Sequence, residues 1–162
     1  MLIREITASD FHQFWPSFLA IIQARETYAF DPQMNESQAY ALWCEQPLRT
    51  FVCEEDGIVL GSYYLKANAK GPGDHVCNCG YMVTPEARGR GVAKAMCEHS
   101  QQMAITLGFR AMQFNSVVST NEAAVALWQK LGYQIVGTIP GAYRHRTLGD
   151  VDTFVMYKQL QP

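Results

Sequence analysis

A short arginine- and glycine-rich turn constrains the fold of this chain more than any other feature. The apolar run His75–Thr84 predicts a strand, Pro85 ends it, and a helical pattern follows from Val92 to Leu107. Gly89 and Gly91 therefore lie where the helix begins. Glycine has no Cβ, so main-chain N–H groups there can approach an anion closely, and the first N–H groups of a helix have no partner within it. The turn predicts a phosphate-binding cradle.

Positive charge and spacing narrow the kind of phosphate ligand. The helix dipole supplies roughly half a positive charge at the helix N-terminus, and Arg88 and Arg90 add full charges. An ordinary solvated turn can have this composition too, so the spacing has to decide. Lys94 stands where a dinucleotide-binding Gly-x-Gly-x-x-Gly turn needs its third glycine, and the Gly-Lys-Ser/Thr of a triphosphate loop is absent.

The remaining pattern is Arg88, two residues, Gly91, one residue and Ala93. It resembles the Gln/Arg-x-x-Gly-x-Gly/Ala motif with which the GCN5-related N-acetyltransferase (GNAT) superfamily binds the pyrophosphate of CoA. The resemblance implies acetyl-CoA as co-substrate and no metal. The CoA-binding residues that it implies are Met82, Val83, Arg88, Gly89, Arg90, Gly91, Val92, Ala93, Asn121, Ala124 and Trp128.

A second stretch extends the resemblance. The sequence STNEAAVALWQKLGY, residues 119–133, is similar to the GNAT pattern Asn-x-x-Ala-x-x-x-Tyr-x-x-x-Gly-Phe/Tyr. The resemblance implies that the Val83 N–H stabilises the oxyanion formed at the acetyl carbonyl and that Asn121 contacts CoA. Asn121 is also a good helix cap, and it can be both.

Trp128 departs from that pattern, because many members have a Tyr there that protonates the leaving thiolate. An indole N–H cannot serve as that acid, so Tyr133 and Tyr143 are the replacement candidates. The base that removes a proton from the attacking amine is not distinguished by the sequence. A water chain is one alternative, and the conceivable side-chain relays are Glu26, His75 and Glu122.

Two asparagines point to the acceptor. Asn78 interrupts the apolar run VCNCGYMV, and Asn115 interrupts RAMQFNSVV, so both are expected to place buried amides beside the CoA cleft. One interpretation is a pair of satisfied core amides that hold a bulge or the splay between the strands. The other follows from a resemblance to fungal N-acetyltransferases that act on azetidine-2-carboxylate, which implies that Asn78 and Asn115 orient the substrate. Tyr28 and Tyr143 are candidates to close over it, and packing at the surface is the alternative role for both.

The order of patterns predicts an α/β (α+β) fold in one domain, residues 1–162, with a mixed sheet of about six to seven strands flanked by about four helices. The polar segment Gly141–Gly149 is predicted to join the last two strands. Predicted strands are Leu2–Ile6, Thr50–Glu55, Ile58–Lys66, His75–Thr84, Arg110–Val118, Tyr133–Ile139 and Asp152–Tyr157, and predicted helices are a segment capped by Ser9 or Asp10 that runs to Ala24, then Glu36–Glu45, Val92–Leu107 and Asn121–Leu131.

Composition bears on the partners, the location and the cysteine chemistry of the chain. With 13 basic and 15 acidic residues the chain has a net charge of −2, which does not favour nucleic-acid binding. The N-terminus has no signal-peptide pattern and Phe14–Ile22 is too short to span a membrane, so a cytoplasmic location is expected. The five cysteines lie in apolar runs, which favours reduced core thiols.

The sequence thus predicts an acetyl-CoA-dependent N-acetyltransferase that acts on a small amino or imino acid by direct attack on the thioester. Acetylation of a peptide or protein amine is the first alternative. A CoA-binding sensor without turnover is an alternative of another class. An edge strand near the C-terminus makes a homodimer a further expectation.

Overall fold

The computed structural model describes residues 1–162 as a seven-stranded mixed sheet with four α-helices. This confirms the predicted α/β fold. The strands are β1 (Leu2–Glu5), β2 (Arg49–Glu55), β3 (Ile58–Ala67), β4 (Val76–Val83), β5 (Ala111–Val118), β6 (Gln134–His145) and β7 (Gly149–Gln159), and the helices are α1 (Ala8–Ala24), α2 (Glu36–Tyr40), α3 (Val92–Thr106) and α4 (Glu122–Lys130).

The sheet has the order β1-β2-β3-β4-β5-β7-β6, in which β4 and β5 are parallel and all other neighbours are antiparallel. Each face carries its own hydrophobic cluster. On one face α1 and α2 pack their aromatic side chains around Trp43, and on the other face α3 and α4 pack around Met96 and Trp128. We call these the α1 face and the α3 face. Side chains of successive strand residues alternate between them.

The first two helices differ in detail from the prediction. Thr7, rather than Ser9 or Asp10, caps α1: its hydroxyl accepts from the Asp10 N–H at 3.1 Å, and the Asp10 carboxylate accepts from the Thr7 N–H at 2.8 Å. This reciprocal capping box satisfies two N–H groups of the helix start. The predicted helix Glu36–Glu45 is helical over its whole length, but its hydrogen bonding changes from α to π after Tyr40, where α2 ends.

The C-terminal hairpin is longer than predicted. Gly141–His145, which we expected in a loop, belongs to β6, and the turn contains only residues 146–148. The register of β6 against β7 shifts between Ile135 and Gly137 and again between Ile139 and Tyr143. Such bulges break the alternation of apolar and polar residues by which a strand is recognised in a sequence. As a result Tyr143 lies in a strand and is buried.

The cysteines are all free, and Cys53, Cys77, Cys79 and Cys97 are buried, as predicted for core thiols. None of the helices combines the length and the apolar character that crossing a lipid bilayer requires. At one edge of the sheet lies β6, with exposed apolar side chains at Val136 and Ile139.

Close packing at Gly61 fixes the start of α3 against the sheet. A Cβ on this β3 residue would lie 2.8 Å from the Met82 carbonyl oxygen, 2.9 Å from the Met96 methyl and 3.0 Å from a Val92 methyl. Only glycine permits this approach, because a neighbouring main-chain oxygen cannot move away without disturbing β4.

We predict that Gly61→Ala lowers the free energy of unfolding by about 1–3 kcal/mol through overpacking. Chemical denaturation measures it. Gly137→Ala is the matched control, since Gly137 also lies in a strand but has no atom near the added methyl group. Equal stability of the two variants would show that α3 is not held at this contact.

Candidate active site

The strands β4 and β5 separate soon after they meet. They are paired only at Val76 with Ala111 and at Cys77 with Met112, although both strands continue well beyond. Parallel strands normally pair along their whole shared length, because unpaired main-chain groups in the interior are costly. The resulting gap, which we call the opening, lies between the later residues of β4 and β5.

The side chain of Asn78 takes over the next position of the ladder. Its Nδ2 donates to the main-chain oxygen of Gln113 at 2.9 Å, and its Oδ1 accepts from the Tyr64 hydroxyl at 2.9 Å. The carbonyl of the first β5 residue beyond the paired section is therefore satisfied by a side chain instead of by β4. Asn78 is 5% exposed, so this is the buried amide that we expected, and it has the splay-holding contacts of one predicted interpretation.

Main-chain N–H groups of β4 point into the opening. Thr84 donates to Leu60 of β3, so by the alternation of an antiparallel ladder the odd-numbered residues of β4 direct their main-chain groups away from β3. The main-chain oxygen of His75 accepts from the Arg110 N–H, just before β5. The odd-numbered residues of this segment therefore direct their main-chain groups towards β5. The N–H groups that face the opening beyond the paired section are those of Cys79, Tyr81 and Val83.

Two of the predicted acceptor residues meet at this opening. The Tyr28 hydroxyl donates to the Tyr81 carbonyl at 2.8 Å, and the Tyr143 hydroxyl donates to the Tyr28 carbonyl at 3.0 Å. These bonds connect β6 and the segment after α1 to β4. Burial raises the pKa of both tyrosines, so both hydroxyls are neutral near pH 7 and act as hydrogen-bond donors.

A further tyrosine of this wall was not predicted. Tyr64 of β3 bonds to Asn78 and lies directly opposite Gly80 of β4. A Cβ on Gly80 would lie 2.4 Å from the Tyr64 ring and 3.1 Å from the Tyr28 hydroxyl. The sequence signal for it was the glycine inside the VCNCGYMV strand, since such a glycine marks the close approach of another group.

The cradle, residues 88–93, has the expected backbone. Gly89 and Gly91 have φ of 78° and 79°, in the left-handed region that favours glycine, and the space a Cβ would fill is open at both. Gly91 is the N-cap of α3, and no side chain caps this helix. The first N–H groups of α3 are thus available to an anion.

The charge of the cradle differs from the prediction. Arg90 forms an ion pair with Glu55 at the end of β2, and the N-terminal ammonium lies 3.9 Å from the same carboxylate. The positive charge of Arg90 is therefore partly neutralised in the free protein. Arg88 is exposed and takes part in none of the ion pairs, so it is the free cation of the cradle.

Helix α4 borders the opening on the α3 face. Asn121 caps it by accepting from the Ala124 N–H at 3.4 Å, as the capping interpretation predicts. Trp128, two turns later, packs its ring 5.1 Å from that of Tyr81 and 5.2 Å from that of Phe114, measured between centroids. Tyr81 and Phe114 belong to β4 and β5, so Trp128 spans the two separated strands.

The two acid candidates lie apart from one another. Tyr133 is 2% exposed, and its hydroxyl contacts Met112, Cys97 and Gln101 below the opening. Burial raises the pKa of Tyr133 far above its usual range. This placement argues against Tyr133 as the acid. The Tyr143 hydroxyl donates to the Tyr28 carbonyl, and it is the Tyr28 hydroxyl that reaches β4.

Two other predicted residues are placed differently from expectation. Met82 is buried on the α1 face, and its ladder partner is Ser62 of β3, so neither its side chain nor its N–H is directed to the opening. Asn115 is exposed rather than buried. The register of β5 against β7 shifts between Phe114 and Val117, and this bulge turns Asn115 outward, where its Nδ2 donates to Asn68 Oδ1 at 2.7 Å.

Comparison with known proteins identifies the family of this chain. A sequence profile of the Acetyltransferase (GNAT) family matches residues 13–133. The chain belongs to this family. No group of three or more His, Cys, Asp or Glu side chains is arranged to hold a metal ion.

Several proteins resemble this GNAT chain. A GCN5-related N-acetyltransferase from Kribbella flavida has a TM-score of 0.92 and 44% identity, with 98% of this chain and 96% of that chain covered. The putative acetyltransferase yncA from Salmonella typhimurium, solved with its cofactor acetyl-CoA, has a TM-score of 0.83 and 19% identity over 100% of this chain and 95% of that one. The second likeness concerns the fold alone.

A curated relative supports the family as well. N-acetyltransferase aca1 from Schizosaccharomyces pombe is 33% identical over 98 residues, which make up 60% of this chain and 47% of that protein. The chain therefore spans about half the length of this relative.

We predict that Gly91→Val raises the dissociation constant for CoA at least tenfold, because the added side chain fills the space that the cradle keeps open. Isothermal titration calorimetry measures it. Gly108→Val is the matched control: Gly108, near the other end of α3, also has positive φ and open space around it. Both substitutions place a side chain at a positive φ, 79° at Gly91 and 91° at Gly108, so both carry backbone strain. Equal CoA affinity in the two folded variants would contradict the assignment of the cradle.

Proposed function

We propose that this GNAT protein transfers the acetyl group of acetyl-CoA to the amine of a small amino or imino acid. The observation that carries the proposal is the opening itself, which joins an uncapped helix N-terminus on one side to a tyrosine and amide wall on the other. An enzyme that uses CoA needs a site for its pyrophosphate, which the helix N-terminus offers. A small polar acceptor suits the wall of tyrosines and amides.

The cradle would hold the pyrophosphate of CoA. Its donors are the N–H groups of Val92 and Ala93 at the start of α3, and Arg88 supplies the charge. From there the pantetheine chain would run into the opening along β4. Asn121, Ala124 and Trp128 of α4 would cover it, since Asn121 keeps its Nδ2 free after capping the helix through Oδ1.

Acetyl transfer requires a donor for the carbonyl oxygen of the thioester. The N–H of Val83 is our candidate, and the unpaired N–H groups of Tyr81 and Cys79 face the same opening. The neutral amine attacks the thioester carbon and forms the C–N bond, which gives a tetrahedral oxyanion; the oxyanion then collapses, the C–S bond breaks and CoA leaves as the thiolate. The oxyanion on the way is stabilised by whichever N–H donates to it.

Proton transfer is needed twice. The amine must lose a proton, for which water reaching the opening is one route, and the thiolate must gain one. A thiol with a pKa of about 8.5 is a fair leaving group near neutral pH without a positioned acid. Trp128 in place of the family's tyrosine is therefore compatible with turnover.

The acceptor would enter from the α1 face. Asn78, Asn115, Tyr28 and Tyr143 remain our candidates to contact it, now together with Tyr64. Asn78 uses one N–H and one lone pair to hold the splay, which leaves it a second of each for a substrate. The resemblance to fungal imino-acid acetyltransferases also supports an acceptor of this size.

A CoA-binding sensor without turnover is the second candidate function. The observation that favours it is the absence of a positioned acid, because the indole of Trp128 cannot give up a proton to the thiolate and Tyr133 is enclosed. A homodimer through the exposed edge strand β6 and a cytoplasmic location also remain predictions.

The experiment that separates these functions is CoA-thiol release from acetyl-CoA with a panel of amino acids, imino acids, polyamines and peptides. We expect release with small amino or imino acids, and mass spectrometry should show the N-acetyl product. No release with any acceptor despite measurable CoA binding would favour the sensor. Release with peptides alone would contradict the small acceptor.

A further inference from the structure

Lys66, near the end of β3, has an uncommon environment for an exposed lysine. It lies directly opposite Asn78 in the ladder with β4, so the two side chains share the α1 face. Its ammonium lies 5.3 Å from the centre of the Tyr64 ring, the same tyrosine whose hydroxyl bonds to Asn78. The cation thus lies over the ring of a tyrosine in the wall of the opening, while the lysine stays exposed to solvent.

No acidic side chain balances this charge. The ion pairs of the chain all involve other residues, so the Lys66 ammonium has no carboxylate within 4.0 Å. An exposed lysine commonly lacks a partner, and that fact alone would carry nothing. What distinguishes Lys66 is that the groups beside it are amides.

A row of amides continues from Asn78 along this side of the opening. Gln113 Nε2 donates to Asn115 Oδ1 at 3.0 Å, and Asn115 Nδ2 donates to Asn68 Oδ1 at 2.7 Å. The oxygens of Asn115 and Asn68 therefore each accept a hydrogen bond. The last amide of the row is Asn68, and its Nδ2 donates to no protein acceptor. A lysine and free amide N–H groups are donors without a matching acceptor.

The position of Lys66 and Asn68 relative to the reacting atoms determines which end of the acceptor lies beside them. Asn78 marks the inner end of the opening, and the next N–H groups that face the opening are those of Cys79 and Tyr81. Of the candidate donors to the oxyanion, Cys79 and Tyr81 lie nearer to Lys66 than Val83, whose ladder partner is Gly61. An acceptor that comes from the α1 face and attacks a thioester held at Tyr81 or Cys79 passes beside Tyr64. Its other end then lies against Lys66.

We infer that Lys66, aided by Asn68, binds an anionic group of the acceptor, so that the favoured substrates are amines with a carboxylate or a similar anion near the reacting nitrogen. The inference rests on the proposed function and deepens it by naming the residue that recognises the anion of such an acceptor. It assigns to Lys66 a role in specificity. The same cation disfavours polyamines and lysine-rich peptides, because their positive charges would approach it.

The test compares Lys66→Met and wild type on paired acceptors: an amino or imino acid and its carboxamide. The pair shares the carbon skeleton and differs in the anion; because the amine of the carboxamide is the weaker base, each kcat/KM is expressed per concentration of neutral amine. We expect wild type to favour the acid, and Lys66→Met to lose about tenfold to a hundredfold in kcat/KM for the acid relative to the amide, which is the range for a hydrogen bond to a charged group. The KM for acetyl-CoA should stay unchanged.

Two further variants sharpen the result. Lys66→Arg keeps the charge and should retain most of the preference for the acid. Lys130→Met removes another exposed lysine, the last residue of α4, and should change the kcat/KM of neither acceptor. Because each rate is compared with that of the amide on the same protein, a general loss of folded enzyme cancels.

The failure of this inference is distinct from that of the proposed function. Wild type that acetylates the acid and the amide equally well, or a Lys66→Met variant that keeps the full preference, would overturn the role of Lys66 while leaving acetyl transfer to small amines intact. Absence of turnover with every acceptor overturns the proposed function, and the inference with it.

Discussion

The hydrogen bond from the Asn78 side chain to the Gln113 carbonyl is the interaction on which this site depends. It satisfies the main-chain group that would otherwise require β4 and β5 to stay paired. At Gln113 one hydrogen bond therefore replaces another, while beyond it the N–H groups of β4 stay unpaired and are available to a ligand. The Tyr64 hydroxyl fixes the amide from its other end and so prevents it from rotating.

The separation of the strands also joins the two faces of the sheet. On the α3 face lie the cradle and α4, and on the α1 face lie Tyr28, Tyr64 and the row of amides. Residues of the α1 face and of the α3 face can therefore both contact a ligand in the opening. This arrangement explains why a co-substrate and an acceptor can approach the same atoms without competing for the same wall.

The sequence predicted the fold well because its central unit is local. The strand, the cradle and α3 are consecutive, and two glycines with positive φ mark the turn between them. Positions set by distant parts of the chain were harder to predict. The bulge that exposes Asn115 depends on β7, and the ion pair that occupies Arg90 depends on Glu55 of β2. Tyr143 was assigned to a loop for the same kind of reason, since two bulges hide its strand.

Backbone amide hydrogen exchange, followed by NMR with and without CoA, tests the central claim most directly. If the opening receives the pantetheine chain, CoA should slow exchange at the odd-numbered residues Tyr81 and Val83, whose N–H groups face the opening. Exchange at Gly80 and Met82 should be slow in both states, because their N–H groups already bond to β3. Unchanged exchange at Tyr81 and Val83 with CoA bound would contradict the account.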